Sequence, residues 1–524
     1  MQPENRRFPI GQQDFKYLRV NQFLYVDKTQ FIYNLANGGK QFFLSRPRRF
    51  GKSLLLSTIR YYFEGKKELF KELAVERLET EWAEYPVFLI DMNMTAYTDL
   101  QSLHTGLDMN LRRLEETWGK NPDEKAPSAR LEGLIRRAYE KTGKGVVILF
   151  DEYDKPLLGT MDSLDANDAI RTELKGFYGL MKTMDEYLRF VLYSGVTKFS
   201  KISIFSDLNQ PDDISGLDAY SEICGITEKE LLENFEIEIH KLAANNEETY
   251  ETALSELKRR YDGYHFTKNS AGLYNPFSLL NVLKNSEYGN YWYKTGTPTF
   301  LVKMIADGEL DIRNFENNIP VEVNKLDEYK VGLNSPVPIL YQSGYLTIKG
   351  YDKTFNSYIL GFPNEEVKYG FLDDLLPTFL PIPHLNQLDF TAMRFAKAIR
   401  ENRIDDFMEM LRARFASIPY DLKDRTERSY QMGFWLIFEL MGQYCQTEVK
   451  SVKGRADAVV KTQDTVYVFE FKMQKNGTAE DALAQIDDKG YLIPYTADGR
   501  KLVKIGVEFS EEEKTLSRWL VKEN

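Results

Sequence analysis

The sequence is poor in cysteine and histidine, with two and four residues respectively among 524. The cysteines, Cys224 and Cys445, lie too far apart in sequence to indicate a disulfide framework or a cysteine-rich metal site, which is typical of a reducing compartment. Four histidines give no reason to expect zinc chemistry. No apolar run approaches the ~18 to 20 residues that span a bilayer, and the first residues, MQPENRRFPI, lack the apolar core of a signal peptide. We therefore expect a soluble, cytoplasmic protein with no membrane partner.

An excess of basic charge is also missing, because 79 acidic residues outnumber 68 basic ones and give a net charge of −11. This balance argues against a protein that coats nucleic acid over its whole surface, but it leaves room for a local basic groove. What the chain does have is length and apolar content, with 43% hydrophobic residues. A folded protein of several domains, each of roughly 100 to 200 residues, is expected.

Changes in the hydrophobic pattern divide the chain into four predicted regions. Residues 1–222 alternate short apolar runs with helix-like segments, which is typical of an α/β domain with a largely parallel sheet. Residues 223–385 indicate a mostly helical, lid-like middle region, and residues 386–418 a helical connector. Residues 419–524 indicate a second α/β unit in the order helix, strand, turn, strand, helix.

A phosphate-loop motif, SRPRRFGKS, follows the apolar run QFFLS and precedes the helix-like LLLSTIRYYF. A strand that runs into a helix is the context that this motif requires, because the helix N-terminus presents unpaired N–H groups to phosphates. We expect Gly51 to let the backbone approach the ligand, Lys52 to reach the β- and γ-phosphates, and Ser53 to hold Mg²⁺. These residues predict a site for ATP.

The first glycine of the pattern G-x-x-x-x-G-K-[ST] is missing, and Arg46 stands in its place. Together with Arg48 and Arg49 it puts three guanidinium groups beside the loop. These groups either offset the lost glycine by adding positive charge or face another partner. We assign Arg46 and Arg49 to the predicted nucleotide site. An ordinary basic turn is the alternative, since G-K-[ST] alone is a weak signal.

Two carboxylates favour the nucleotide site over that alternative. Asp151 and Glu152 directly follow the apolar run VVILF, as expected for a buried strand that ends in acidic residues. Asp151 suits the Mg²⁺ shell, and Glu152 is placed to polarise an attacking water. A further strand, LRFVLYSGVTK, ends in Ser194 and Thr197, whose hydroxyls can contact the γ-phosphate. A solvated strand end is the alternative interpretation of the two carboxylates.

Several phrases of the sequence occur in the order of one known family. They are LYVDKTQFI, SRPRRFGKSLL, VVILFDEYDKPLL, SGVTKFSKISIFSDLN, YDGYHF, YNPFSLL, LYQSGYLTI and LGFPNEEV. Together they resemble the bacterial family of AAA-ATPase-like proteins with a C-terminal nuclease-type domain. In that family the loop is written R-P-R-R-F-G-K-[ST], so the resemblance implies that Arg46 is a family trait. It also implies a homo-oligomer, because AAA-type modules often complete their site with an arginine from a neighbouring subunit.

A second constellation lies in the segment GRADAVVKTQDTVYVFEFKMQKN. Residues two apart in a strand share a face, so Glu470 and Lys472 point to one side while the adjacent phenylalanines point into a core. The TQDT turn brings Asp457, on the preceding strand, next to Glu470. Two carboxylates with a lysine beyond them can bind Mg²⁺ or Mn²⁺ and orient an attacking water. The alternative is a surface hairpin with an ion pair worth only ~0.2 to 1 kcal/mol.

This D…(E/D)-x-K pattern resembles the PD-(D/E)XK nuclease superfamily. The resemblance implies that Asp457, Glu470 and Lys472 are catalytic and that the two carboxylates hold the metal ion. The proline of the superfamily's name is missing, because Ala456 precedes Asp457.

Two further residues match the superfamily less completely. Glu427 corresponds to an acidic residue often found on the helix before these strands. Gln485 lies on the following helix, where some relatives have a Q-x-x-x-Y signature. The next tyrosine here is Tyr491, so the spacing departs from that signature.

Together the two sites predict an ATP-binding protein, expected to hydrolyse ATP, whose Mg²⁺-dependent nuclease domain cleaves DNA under nucleotide control. RNA is the less favoured substrate. The expected architecture is α/β, with a P-loop NTPase-type parallel-sheet domain, a helical middle region and a C-terminal restriction-endonuclease-like domain. The competing hypothesis is a nucleotide-dependent switch or scaffold whose nuclease-like domain binds nucleic acid or protein without cleaving it.

Overall fold

The computed structural model describes most of the chain, in two compact units. The described ranges are 6–198, 211–292, 319–327, 336–379, 391–416, 427–444, 446–449, 456–497, 499–510, 512–513 and 515–523, together with Ile312 and Phe315. The first unit covers the described residues up to Lys368, and the second those from Tyr369 onward. The boundaries expected at residues 222, 385 and 418 stay predictions. Among the described helices, none is both long and apolar enough to cross a membrane.

The N-terminal part of the first unit alternates helices and strands. Its elements are α1 (Phe15–Val20), α2 (Thr29–Gly38), β1 (Gln41–Ser45), α3 (Lys52–Phe63), α4 (Ala74–Leu78), β2 (Val87–Asp91), α5 (Leu100–Trp118), α6 (Pro127–Thr142), β3 (Val146–Asp151), α7 (Lys155–Gly159), α8 (Leu164–Thr183), β4 (Leu188–Gly195) and β5 (Asp212–Asp213). Short 3₁₀ turns connect some of them.

The five strands form one parallel sheet in the order β2-β3-β4-β1-β5. The VVILFD strand β3 is buried along its whole length, as expected of a central parallel strand. The carboxyl ends of the strands line up, since Ser45 is in register with Gly195 and Asp91 with Asp151. Ligands of open α/β sheets bind at this edge. The predicted parallel α/β fold is confirmed, and it brings the loop motif and the acidic pair to one edge.

After β5 the first unit continues with helices and two small sheets. The elements are β6 (Ile226–Thr227), α9 (Glu228–Asn245), α10 (Tyr250–Tyr261), β7 (Leu273–Tyr274), α11 (Pro276–Asn285), β8 (Ile319–Glu322), α12 (Val337–Ser343), β9 (Thr347–Asp352) and β10 (Ser357–Gly361). The boundary between the units falls within the next helix, α13 (Glu365–Phe379). Helices α9 to α11 contribute to one core, which includes Leu231, Phe235 and Leu279. The antiparallel sheet β8-β10-β9 was not part of the sequence prediction, because its strands are short and none contains a long apolar run.

The second unit is built around a mixed sheet. Its further elements are α14 (Thr391–Arg400), α15 (Ile404–Ala416), α16 (Glu427–Met441), β11 (Gln446–Val449), β12 (Ala458–Lys461), β13 (Thr465–Met473), α17 (Ala479–Asp488), β14 (Lys501–Ser510) and β15 (Thr515–Glu523). The strand order is β11-β12-β13-β14-β15, and only β13 and β14 are parallel. Helix α17 makes the crossover between these two strands. On the face of the sheet away from α17, Phe469 packs against Phe407 and Phe438. The next residue, Glu470, therefore faces α17. The predicted α/β class of this domain is confirmed.

Candidate functional sites

The phosphate-loop motif lies between β1 and α3. Helix α3 begins at Lys52, and Gly51 precedes it with a φ of 91°. A Cβ atom at Gly51 would meet nothing within 4 Å, so the backbone conformation and not lack of space requires glycine here. The first N–H groups of α3 therefore open onto the carboxyl edge of the sheet, where an anion can accept them.

The structure brings four of the predicted nucleotide-site residues together. Lys52 is only 4% exposed, and its ammonium lies 3.8 Å from the Glu152 carboxylate. The side chain of Ser53 lies beside Asp151 and lowers the pKa of that carboxyl. A lysine, a hydroxyl and two carboxylates thus meet at the start of α3, as the sequence interpretation requires for Mg²⁺ and phosphate.

Asp151 is held in an environment that disfavours its charge. Burial raises the pKa of this carboxyl to about 6, and the charges of Glu152 and Asp91 add to the effect, while Ser53 and Lys52 oppose it. A bound cation would reverse this penalty. Asp91, at the end of β2, was missed by the sequence reasoning. The run PVFLID, which ends in a carboxylate as VVILFD does, was the available signal.

The backbone at Glu152 is strained. Its φ of 52° lies in the left-handed region, which costs a residue with a Cβ roughly 1 to 2 kcal/mol. The sharp turn is fixed by the next residue, because the N–H of Tyr153 donates to the carbonyl of Ser194 at 3.0 Å. Strained residues of this kind concentrate at functional sites, where the surrounding structure holds them.

The end of β4 is tied to a carboxylate that the sequence reasoning also missed. Asp154 is fully buried and accepts the backbone N–H and the hydroxyl of Thr197, at 2.6 and 2.5 Å. Burial, and then the charge of Glu152, raises the pKa of Asp154 to about 6. The Thr197 hydroxyl is thus engaged with Asp154, whereas the buried Ser194 hydroxyl has no partner among the described residues.

The three loop arginines differ in their surroundings. Arg48 and Arg49 are exposed, and the Arg49 guanidinium lies 5.0 Å from the ring centre of Phe277. Arg46 is 1% exposed, and its guanidinium donates to main-chain carbonyls instead of opening onto the site. The interpretation of Arg46 as a charge that offsets the missing glycine by facing the nucleotide does not fit these contacts, because both terminal nitrogens are engaged and Nε, which has no partner among the described residues, is buried.

An apolar pocket opens beside Gly51. Most of its wall is aliphatic or aromatic, and the residues that line it include Pro9, Leu24, Tyr25, Val26, Leu54, Leu55, Ile223, Cys224, Ile226, Pro276 and Leu280. Its neighbour Lys28 is already paired with Glu230 at 2.6 Å.

The second site lies on β12 and β13. The N–H of Phe471 donates to the Asp457 carboxylate at 2.9 Å, which turns Asp457 toward Glu470 on the neighbouring strand. The Lys472 ammonium lies 3.9 Å from the Glu470 carboxylate. The structure therefore brings Asp457, Glu470 and Lys472 together.

Gln485 completes this second site. Its side-chain carbonyl accepts from the Lys472 ammonium, and its amide N–H donates to the Glu470 carboxylate. The hydroxyl of Tyr491 lies 3.4 Å from the same amide. A turn at Gly490, with φ 63°, brings Tyr491 back toward Gln485 despite the departure in sequence spacing.

Glu470 has an oxygen without a partner. The side chain is 4% exposed, and Oε2 makes no hydrogen bond to any described residue. Burial, and then the Asp457 charge, raises the pKa of Glu470 to about 7, and burial also raises the pKa of Asp457. Two buried carboxylates with an unused oxygen are a donor set that fits a hard divalent cation.

The third acidic residue expected here, Glu427, begins α16, but its side chain lies outside the described residues. In the described part of the chain no three acidic, histidine or cysteine side chains form a metal-ligand group. The described portion of the site thus offers two carboxylates, a lysine and an amide.

The fold and the two sites define the class of protein, an α/β phosphate-loop unit joined to a nuclease-type unit. A family model described as "Predicted AAA-ATPase" matches residues 9–205, and a model of the PD-(D/E)XK nuclease superfamily matches residues 425–519. The chain is also similar to a protein of Azotobacter chroococcum mcd 1 described as "Uncharacterized protein in vnfD 5'region". The two sequences are 35% identical over 526 residues, and the alignment covers 99% of each. The chain belongs to this family of AAA-ATPase-like proteins with a PD-(D/E)XK nuclease superfamily domain.

Proposed function

We propose that this protein binds and hydrolyses ATP in its first unit and cleaves DNA with a Mg²⁺-dependent site in its second. The observation that carries the nuclease is Glu470, a buried carboxylate beside Asp457 and Lys472 with one oxygen that has no hydrogen-bond partner in the described part of the chain. A buried carboxylate pair is costly unless a cation compensates it. We also infer that the protein is located in the cytoplasm, as expected from the sequence.

For the nucleotide site, the N-terminus of α3 and Lys52 receive the phosphates. Lys52 now donates to the carbonyls of Arg46 and Pro47, at 3.0 and 3.2 Å, and exchanges these acceptors for phosphate oxygens. Ser53 and Asp151 would hold Mg²⁺, which neutralises phosphate charge when bound. Glu152 orients the attacking water, and the apolar pocket beside Gly51 receives the base.

For the nuclease site, Asp457 and Glu470 would hold Mg²⁺, with Mn²⁺ as a substitute. When bound, the ion polarises the phosphodiester and acidifies a water. Lys472 orients this water or balances negative charge at the phosphate. Gln485 holds Lys472 and Glu470 in register through its two amide atoms.

Control of the nuclease by ATP is part of the proposal and rests on the presence of two sites in one chain. DNA is favoured over RNA as the substrate. A homo-oligomer is the favoured assembly, since a neighbouring copy could supply an arginine to the nucleotide site.

A second candidate is a nucleotide-dependent switch or scaffold. It is favoured by the contacts of Gln485, which satisfy Lys472 and one oxygen of Glu470 without a metal ion. In that case the second unit binds nucleic acid or protein and does not cleave.

The test is cleavage of linear, circular and single-stranded DNA and of RNA, in Mg²⁺ or Mn²⁺, with and without ATP. The variants compared are Lys472→Ala and, as a matched control on the surface of the same unit, Lys501→Ala, whose partner is Glu523. We expect Lys472→Ala alone to abolish cleavage. Equal cleavage rates with and without ATP would exclude nucleotide control, and no cleavage by the parent under any condition would favour the switch or scaffold.

A further inference from the structure

The backbone has an ordinary conformation at residue 46, where the phosphate-loop pattern has its first glycine. In the loop, Arg49 and Gly51 have positive φ angles, of 67° and 91°, whereas the φ of Arg46 is not positive. The main chain at residue 46 therefore does not need the freedom of glycine, and the question is what the arginine side chain contributes.

The Arg46 guanidinium is fastened to a neighbouring turn. Nη1 donates to the carbonyls of Ser45 and Ser215, both at 2.9 Å. Nη2 donates to the carbonyls of Tyr220 and Ser221, at 3.0 and 3.4 Å. Four N–H groups on Nη1 and Nη2 thus have four main-chain acceptors, three of them in residues 215–221.

One face of the guanidinium is also covered. The ring centre of Phe266 lies 4.0 Å from its central carbon. Such stacking suits the planar, weakly hydrated guanidinium. With the side chain 1% exposed and both terminal nitrogens engaged, no donor remains accessible for a phosphate.

The same residue contacts the lysine of the loop through its main chain. Its carbonyl accepts the Lys52 ammonium at 3.0 Å, and its N–H donates to the carbonyl of Gly195 at 3.1 Å. Next to it, the N–H of Ser45 donates to the Ser215 hydroxyl at 2.8 Å, a second tie between the loop and the same turn. The side chain of Arg46 thus anchors the segment that directs Lys52.

We propose that Arg46 is a positioning residue, which fastens the phosphate loop to residues 215–221 and thereby sets the direction of Lys52 without touching the nucleotide. This inference rests on the proposed nucleotide site. A lysine at position 46 cannot replace the arginine, because one ammonium nitrogen cannot reach carbonyls on both sides of the planar fork.

The experiment measures binding of ATP and of ADP, each with Mg²⁺, to the full chain and to Arg46→Lys and Arg46→Gly. The matched control is Arg130→Lys, because Arg130 is another buried arginine of the same unit, paired with Glu115 and Asp108 away from the loop. Binding is measured at a temperature where circular dichroism shows every variant to be folded. The control separates lost stability from lost positioning.

We expect both Arg46 variants to bind ATP about 10-fold more weakly or worse, the effect of losing one or two net hydrogen bonds. The loss for ADP should be smaller, because Lys52 reaches the γ-phosphate as well as the β-phosphate of ATP, and Arg130→Lys should melt earlier with unchanged affinity. Arg46→Gly restores the usual glycine, so ATP binding as tight as that of the parent would overturn the proposal. Unchanged binding of both nucleotides by Arg46→Lys would likewise overturn it.

If the Arg46 variants do not fold, Phe266→Leu is the milder test. It removes the aromatic face over the guanidinium and leaves the hydrogen bonds in place, so a loss of roughly 2- to 5-fold is expected. Unchanged ATP affinity in Phe266→Leu would then overturn the proposal. If the parent itself binds neither nucleotide, the proposed nucleotide site fails, which is distinguishable from failure at Arg46 alone.

Discussion

Gly506→Ala should displace the helix that carries Gln485. Gly506 is the register partner of Glu470 on the parallel strand pair of the second unit. A Cβ atom there would lie 2.3 Å from the Ala479 carbonyl oxygen and 3.0 Å from the Leu483 main-chain nitrogen. Both contacts are with the backbone of α17, so no side-chain rotation relieves them.

The size of the effect follows from these distances. Ordinary contact begins near 3.4 Å, so α17 must retreat by about 1 Å from the sheet. Overpacking of this kind typically costs ~1 to 3 kcal/mol. The same displacement separates Gln485 from Glu470 and Lys472, and misplacement of a catalytic group by ~1 Å can cost about 100-fold in rate.

The assay is hydrogen exchange of the α17 amides, followed by mass spectrometry, with cleavage rate as a second readout. A local cost of ~1 to 3 kcal/mol corresponds to exchange roughly 5- to 150-fold faster. Gly179→Ala in α8 is the control, because a Cβ atom there meets nothing within 4 Å. Unchanged exchange across α17 in Gly506→Ala would refute the reasoning.

Three further predictions concern single side chains. Because the pKa of Glu470 is raised to about 7, Mg²⁺ must displace its proton, so titration calorimetry should find affinity about tenfold weaker at pH 6 than at pH 8, a difference that Glu470→Gln removes. Between the usual pKa of a glutamate and about pH 7, the folded protein holds a proton on Glu470 that the unfolded chain has lost. The free energy of unfolding should therefore fall as the pH rises through this range, and an identical pH profile for Glu470→Gln would contradict this. The Trp292 indole donates to the carbonyl of Arg48 in the phosphate loop at 3.1 Å, so ATP should change the tryptophan emission of the parent and of Trp82→Phe, but not of Trp292→Phe. Asp154→Ala leaves buried N–H donors unpaired and should lower the free energy of unfolding by about 2 kcal/mol in denaturant titration, whereas the exposed Asp162→Ala should have no effect.

The sequence was sufficient where chemistry and structure are local. Lys52 and Ser53 follow a strand and begin a helix, and Asp151 ends an apolar run, so hydrophobic periodicity alone brought them to one edge of a parallel sheet. The alternation of β13 likewise separated Glu470 from the phenylalanines of the core.

Contacts between distant parts of the chain could not be predicted in this way. Asp154 meets Thr197 only because β3 and β4 are neighbours in the sheet. The charge of Arg46 was evident from the sequence, but the orientation of its guanidinium is set by hydrogen bonds to a turn about 170 residues further along the chain. Gln485 and Tyr491 approach each other through a turn at Gly490 that no fixed spacing encodes.

The crossover between β13 and β14 also sets the order in which the second site is assembled during synthesis. Asp457, Glu470 and Lys472 leave the ribosome before β14 does. Until Gly506 and its strand emerge, α17 can pack only on β13 and lacks β14, the strand that its backbone approaches at Gly506. The two carboxylates and the lysine therefore acquire a fixed arrangement only after β14 has been synthesised, so a shorter nascent chain does not carry the complete proposed nuclease site.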